Sequence, residues 1–263
     1  MTSRVLPISK MRAEVEIKSL IRDRQRMVFT FFFPMLLLLI FGTVFNHDVV
    51  PGVSFSQYFT AGIIASGIVY AAFENLSISI PLERDNGTLK RLRGTPMPLG
   101  SYFVGKAAQV TLCYVAQVVL LIGLGVALFG VSLPTTALQW LTFLWVSVLG
   151  LACCTLLGIA FSAVPKNAES APAIVTPIVL IAQFISGVFI AFNDLPHWMQ
   201  TIASVFPLKW LCEAMRSVFL SSKASSLQPH GSYQLGWCAL VLIAWTIAGG
   251  VLAWRNFSFS TDQ

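Results

Sequence analysis

Six long apolar runs dominate the chain, at 27–45, 55–80, 103–129, 138–163, 173–192 and 235–254. Each is close to or above the roughly 20 residues that cross ~30 Å of hydrocarbon at ~1.5 Å per residue. None alternates apolar with polar positions as the strands of a membrane barrel do. Helices are the remaining way to satisfy a backbone in lipid. The pattern predicts an all-α membrane protein with six transmembrane helices. The second and third runs are longer than a crossing needs, so tilt or extension beyond the membrane is expected.

Two further segments have patterns of their own. Within residues 1–26, Ala13, Ile17, Leu20 and Ile21 recur at helical spacing with Lys10, Arg12, Lys18 and Arg22 on the flanking faces. That is the pattern of a helix lying in the cytoplasmic interface. Residues 193–234 are too polar for one span and too apolar for a simple loop. Two amphipathic pieces, 195–205 and 208–220, flank Phe206-Pro207 and predict a short re-entrant helical hairpin over 193–220. Its length suits an interfacial or re-entrant element, with Trp198 and Trp210 expected at headgroup depth.

Composition excludes a soluble domain. Of 263 residues, 56% are hydrophobic and only 11% charged, where a soluble domain has about 25% charged. Charge then sets orientation. Thirteen of the 17 Lys and Arg residues lie before the first run, between the second and third, between the fourth and fifth, or after the sixth, and Lys106 at the start of the third run makes fourteen on that side. Lys209, Arg216 and Lys223 are the three on the other side. The positive-inside rule therefore places both termini in the cytoplasm. Topology and anionic lipid headgroups account for the net charge of +6 without a nucleic-acid partner. The first run is too long for a cleavable signal and lacks a small-residue cleavage site, so insertion of the whole chain is expected.

Candidate chemistry is sparse. Cys113, Cys153, Cys154, Cys212 and Cys238 show no CxxC or Cys/His spacing and read as packing residues. A pair between Cys212 and Cys238, which fall on one side, stays open. His47, His197 and His230 fall in outer loops, and no metal site or catalytic constellation is expected. Gly100 through Lys106 matches GxxxxGK, but Ala107 replaces the magnesium-binding hydroxyl and no strand precedes it, so a phosphate loop is not expected. Lys106 reads instead as the cytoplasmic end of the third span. Glu74 is the one acid within a run, sixteen residues beyond Tyr58 and so ~24 Å down the helix. Intramembrane carboxylates default to function, and an interfacial acid paired with a nearby base is the competing reading. Tyr70, Phe73 and Glu74 are candidates for a cytoplasmic substrate entrance. Pro165, Pro172 and Pro177 are candidates for kinking the fifth span.

The segment 83–98, ERDNGTLKRLRGTPMP, is a charged island between two spans. Asp85-Asn86-Gly87 has turn and cap chemistry, Thr88–Arg93 reads as a basic helical turn, and Met97 and Leu99 would follow a Thr95-Pro96 turn back to the membrane. This island, together with FPLKWLCEAMR at 206–216 and the six-span pattern, resembles the type-2 permeases of ATP-binding-cassette exporters, including the daunorubicin-resistance membrane subunit and the nodulation and polysaccharide exporters. The resemblance covers nearly the whole chain. It implies that Glu83, Arg84, Gly87, Thr88, Leu89, Arg91 and Arg93 form a coupling helix docking on a separate ATPase subunit. ATP and Mg would belong to that partner, leaving this chain without a cofactor or enzymatic activity of its own. Trp198, Phe206, Pro207 and Trp210 would belong to an outer gate. A second permease copy or a homologous permease would complete the pathway, with dimer contacts through the first and fifth spans. The implied activity is outward movement of a drug or lipid-like amphiphile across the bacterial plasma membrane. A polysaccharide or glycolipid exporter and, further off, an ion-coupled secondary transporter are the alternatives; no internal repeat supports the last.

Topology is directly measurable. A cysteine placed at Asn86 is expected to react with an impermeant maleimide only from the cytoplasmic side, and one at Ser225 only from outside. Labelling of both from one side overturns the six-span count.

Overall fold

A computed structural model of the chain describes residues 5–22, 27–45, 47–94, 99–220, 224–225 and 231–256. Ten helices carry the fold among them. Helix α1 spans Val5–Arg22. A π turn, Val28–Phe32, leads into α2, Phe33–Val44. A two-stranded hairpin, β1 (Asp48–Val50) and β2 (Val53–Ser54), turns the chain into α3. Helix α3 runs over Phe55–Asp85 with a π segment at Val69–Glu74. Then follow α4 (Thr88–Arg93), α5 (Leu99–Phe129), α6 (Ala137–Phe161) and α7 (Ser170–Ile185). Helices α8 (His197–Val205), α9 (Pro207–Phe219) and α10 (Leu235–Asn256) complete the chain.

All six apolar runs are helical over most of their length. Among the described residues four helices are long and apolar enough to cross a membrane: Phe55–Asp85, Gly100–Phe129, Ala137–Phe161 and Leu235–Arg255. Two further apolar helices, Thr30–Val44 and Ser170–Ile185, are shorter. Together these support a multi-pass membrane protein.

Helix α3 is the axis of the bundle. From Tyr58 to Val69 every residue is buried, and α2, α5, α6 and α9 pack around it. Small residues permit that density, because burial in lipid offers no hydrophobic gain and association depends on close packing. Gly62 faces the turn at Val188 and Gly67 faces Gln117, so these small residues serve contacts within the chain. The tightest approach to another backbone is at Gly158 of α6, where an added Cβ would lie 2.9 Å from the Phe73 carbonyl oxygen. Ser77 Oγ bonds the Gly158 carbonyl at 3.3 Å beside it.

One boundary differs from the sequence expectation. The fifth run was expected to stay helical to 192, but α7 stops at Ile185. Gly187 takes φ +79, and the Val188 N–H returns to the Gln183 carbonyl at 3.3 Å. That is a Schellman ending, which uses glycine's access to the left-handed region. Of the three candidate kinking prolines, Pro177 lies inside α7, Pro172 in its first turn and Pro165 ahead of it. Both Cys212 and Cys238 are buried free thiols, so no disulfide joins them.

Gly158→Ala is expected to lower the thermal unfolding midpoint of the purified protein, because backbone atoms of Ala72 and Phe73 bar the new methyl and overpacking typically costs about 1–3 kcal/mol. Gly123→Ala in α5, with nothing within 4 Å of the added carbon, is expected not to lower it. Equal midpoints for the two variants would refute the packing account.

Candidate coupling site and the groups around it

Helix α3 ends at the island. The Asn86 N–H bonds the Leu82 carbonyl at 3.0 Å and the Gly87 N–H bonds the Arg84 carbonyl at 3.1 Å. Gly87 then turns the chain with φ +70 and ψ 9, a conformation that costs an L side chain roughly 1–2 kcal/mol. Helix α4 starts there, and the Arg91 N–H bonds the Gly87 carbonyl at 3.0 Å. The expected basic helical turn is present. Leu89 is fully buried and pins α4 to the bundle, while Lys90 and Arg91 face outward. Arg91 Nη2 bonds the Asn86 carbonyl at 3.1 Å, so the turn is closed by the helix it starts. The side chains of Arg93 and Leu99, the Thr95-Pro96 turn and Met97 lie outside the described residues.

Glu83 points inward, away from any partner surface. Its carboxylate accepts from the Tyr102 hydroxyl at 2.9 Å, pairs with Lys106 and lies 3.8 Å from Arg12. Lys106, only 1% exposed, also reaches Glu16 of α1 at 3.0 Å, and Arg12 pairs with Glu16. Two acids and two bases thus neutralise one another where α1, α3 and α5 meet. Gly105 makes the meeting possible, since a Cβ there would stand 2.6 Å from Arg12 Cγ. The glycine and lysine of the phosphate-loop look-alike therefore serve to dock α1.

Arg84 and Asp85 turn to the connection between α6 and α7. Arg84 Nη2 donates to the Ser162 carbonyl at 3.3 Å, and the Asp85 carboxylate accepts the Ala168 N–H. Asp85 therefore does not cap α4. Of the seven residues assigned to the coupling helix, Glu83, Arg84 and Leu89 hold it in place, Gly87 shapes it, and Thr88 and Arg91 have accessible surface. Exposed Lys90, Lys166 and Asn167 share this end of the molecule. Arg12, Glu16 and Lys106 were missed as members of the site. Their only sequence signal was charge of both signs on a helix and at the start of a span.

Tyr70, Phe73 and Glu74 all fall in the π segment Val69–Glu74, a form that recurs at functional positions. Glu74 Oε1 accepts from the Thr176 hydroxyl at 2.9 Å, and Tyr70 Oη accepts from Gln183 Nε2 at 2.6 Å. Thr176 and Gln183 both belong to α7. Glu74 thus has a threonine where a basic partner was one expectation, and its Oε2 is buried without a hydrogen bond. Phe73 packs on Phe161 with ring centroids 5.4 Å apart.

At the opposite end, α8 and α9 replace the two predicted amphipathic pieces almost residue for residue. Trp198 and Phe206 are exposed, and Pro207 opens α9 at its first turn. Trp210 differs from its expected surface position. It is 8% exposed, donates to the Ser204 carbonyl at 2.8 Å, and lies beneath Lys209 Nζ, 3.5 Å from the ring centroid. Lys209 in turn pairs with Glu213 at 2.6 Å. Among the described residues no group of three or more His, Cys, Asp or Glu is placed to hold a metal.

The chain is similar to the probable multidrug ABC transporter permease YbhR of Escherichia coli strain K12, with 20% identity over 206 residues, 78% of this chain and 54% of that protein. It is also similar to nodulation protein J of Rhizobium leguminosarum bv. trifolii, with 25% identity over 186 residues, 69% of this chain and 68% of that protein. Nodulation protein J of Rhizobium meliloti matches at 24% over 181 residues, 66% of this chain and 65% of that protein. The chain spans about half the length of the Escherichia coli relative. The sequence model for ABC-2 type transporters matches residues 13–220, a stretch that begins inside α1 and ends just past α9. The chain belongs to the ABC-2 type transporter family.

Proposed function

We propose that this chain is the membrane permease subunit of an ATP-driven exporter. A separate ATPase subunit binds ATP and Mg and docks on α4. The chain crosses the bacterial plasma membrane six times with both termini in the cytoplasm, and two permeases, identical or homologous, form the pathway. Helices α2 and α7 supply the two shorter crossings; thinning of the bilayer and snorkelling of flanking residues accommodate such lengths.

One observation carries the proposal. A short basic helix projects Lys90 and Arg91 while its root is anchored in a buried, charge-neutral cluster that ties three helices together. A load applied to α4 is thereby passed to α1, α3 and α5 without local yielding. The substrate is an amphiphile of drug or lipid type, and Tyr70, Phe73 and Glu74 in the π segment line its cytoplasmic entrance. The Glu74 oxygen left without a hydrogen bond supports this placement, because a carboxylate oxygen inside a bundle awaits a donor or a cation. The name of the Escherichia coli relative, a probable multidrug permease, points to the same substrate class.

The test separates docking from anchoring. Purified alone, the chain is expected to show no ATP turnover, and co-expression with its ATPase should yield a complex of two permeases and two ATPases. Arg91→Glu is expected to leave the permease's own thermal midpoint unchanged but weaken ATPase association about tenfold, roughly 1.4 kcal/mol. Lys106→Met is expected to do the reverse first, because stranding Glu16 and Glu83 costs about 3–5 kcal/mol. ATP hydrolysis by the isolated chain, or unimpaired association of the Arg91 variant, would overturn the reading.

A further inference from the structure

Helix α9 is polar yet buried. Lys209, Glu213 and Arg216 each expose 5% or less of their surface, in a helix packed on α3, α6 and α10. The first two satisfy each other, and the second Glu213 oxygen accepts the Gln234 N–H at 2.7 Å. That carboxylate is fully used. Arg216 is left over.

Its guanidinium is 1% exposed and forms no ion pair among the described residues. One Nη2 bond goes to the Gly187 carbonyl, and the guanidinium carbon lies 3.9 Å from the centre of the Tyr58 ring. A carbonyl and a ring face are a small return for a desolvated cation, since burying an unpaired charge is costly. Among the described residues its Nε–H has no partner. Nor do the Tyr58 hydroxyl, on a residue 1% exposed, and the Tyr233 hydroxyl have an acceptor to donate to, although the Phe192 backbone lies close to the Tyr58 oxygen. Burial pushes the Tyr233 pKa up to about 12 against the nearby Arg216 charge, which lowers it, and Tyr58 and Glu213 add to the rise, so it keeps its proton to donate. Asp194, the acid that acts on Tyr58, is exposed and does not pair with Arg216.

Three unpartnered donors from three elements thus gather around one uncompensated positive charge: Nε of α9, a hydroxyl from the first turn of α3 and a hydroxyl from the residues entering α10. What they lack in common is an acceptor bearing negative charge. We propose that Arg216, Tyr58 and Tyr233 form a binding site for an oxyanion, a carboxylate or phosphate group, at the end of the bundle opposite α4. Tyr233, only partly buried, is the rim by which the anion enters. Arginine suits the task because its planar fork matches both oxyanions. The site is distinct from Glu74, which would favour a cation. The inference stands on this geometry alone, does not rest on ATP-driven export, and its test needs no ATPase.

The full chain is purified in dodecyl maltoside, without phosphate buffer or added lipid. Decyl phosphate, decanoate and decyltrimethylammonium are titrated by calorimetry as probes. Decyl phosphate is expected to bind at least about tenfold more tightly than the ammonium probe, equivalent to roughly 1.4 kcal/mol. Tyr58→Phe combined with Tyr233→Phe is expected to leave the ligand-free thermal midpoint nearly unchanged, because neither hydroxyl donates to an acceptor among the described residues. It should weaken decyl phosphate binding by about tenfold or more, the scale of lost hydrogen bonds to a charged group. Arg216→Lys, which keeps the charge but not the fork, should weaken it further. Competition by inorganic phosphate would support the proposal and assign a free anion as the ligand; selective binding without such competition would support it and assign an amphiphile's headgroup. Equal affinity for the anionic and cationic probes overturns the proposal, and so does parental binding by the double tyrosine variant.

Discussion

A charged side chain with 1% of its surface exposed is tolerated only where opposite charges surround it, and Lys106 sets that condition for a whole end of the molecule. Two carboxylates answer it, one from α1 and one from the foot of α3. Because each acid is itself largely desolvated, neither helix can leave without stranding charge in the other two. The approach of α1 to α5 over Gly105, the inward turn of Glu83 and the seating of Leu89 follow from that one requirement. Arg12 brings the sum of charges to zero, so the cluster binds helices together without presenting a net field to the bilayer.

Local patterns made much of the fold legible, and long-range pairing hid much of the site. Six apolar runs, an amphipathic start and two short amphipathic pieces name their helices by length and period alone. Glycine at 87 and basic residues at 90 and 91 announce a turn followed by a helix. By contrast, Glu16 and Lys106 stand 90 positions apart, and Glu83 and Lys106 stand 23 apart; a single sequence carries no signal that they meet. Lys106 therefore read as a boundary marker. The end of α7 was obscured differently. Val188, Phe189 and Phe192 are apolar because they are buried in a turn, and hydropathy alone cannot separate that from a continuing helix. Gly187 was the available sign.

Trp210 shows a third kind of misreading. An amphipathic helix near a membrane surface is expected to turn its polar face to water, yet α9 is buried nearly all round. It does so by internal settlement: Lys209 and Glu213 are one helical turn apart and pair with each other, and the tryptophan ring lies under the ammonium. Helix α10, packed mainly on α6, does the opposite and leaves Trp237, Leu240, Ile243, Ile247 and Trp254 exposed.

The π segment in α3 stores a surplus of phase. A π turn holds one more residue than the α turn it replaces, and one residue of α-helix is about 100° of rotation. Were Val69–Glu74 to relax into ordinary α-helix, everything below it would have to rotate by that angle or slide along its axis. Glu83 would sweep away from Lys106, and Gly87 with α4 would face another quarter of the compass. The lower half of α3 therefore behaves like the bit of a key: its teeth are cut correctly for only one angular setting, and a six-residue turn in mid-shaft decides which setting that is.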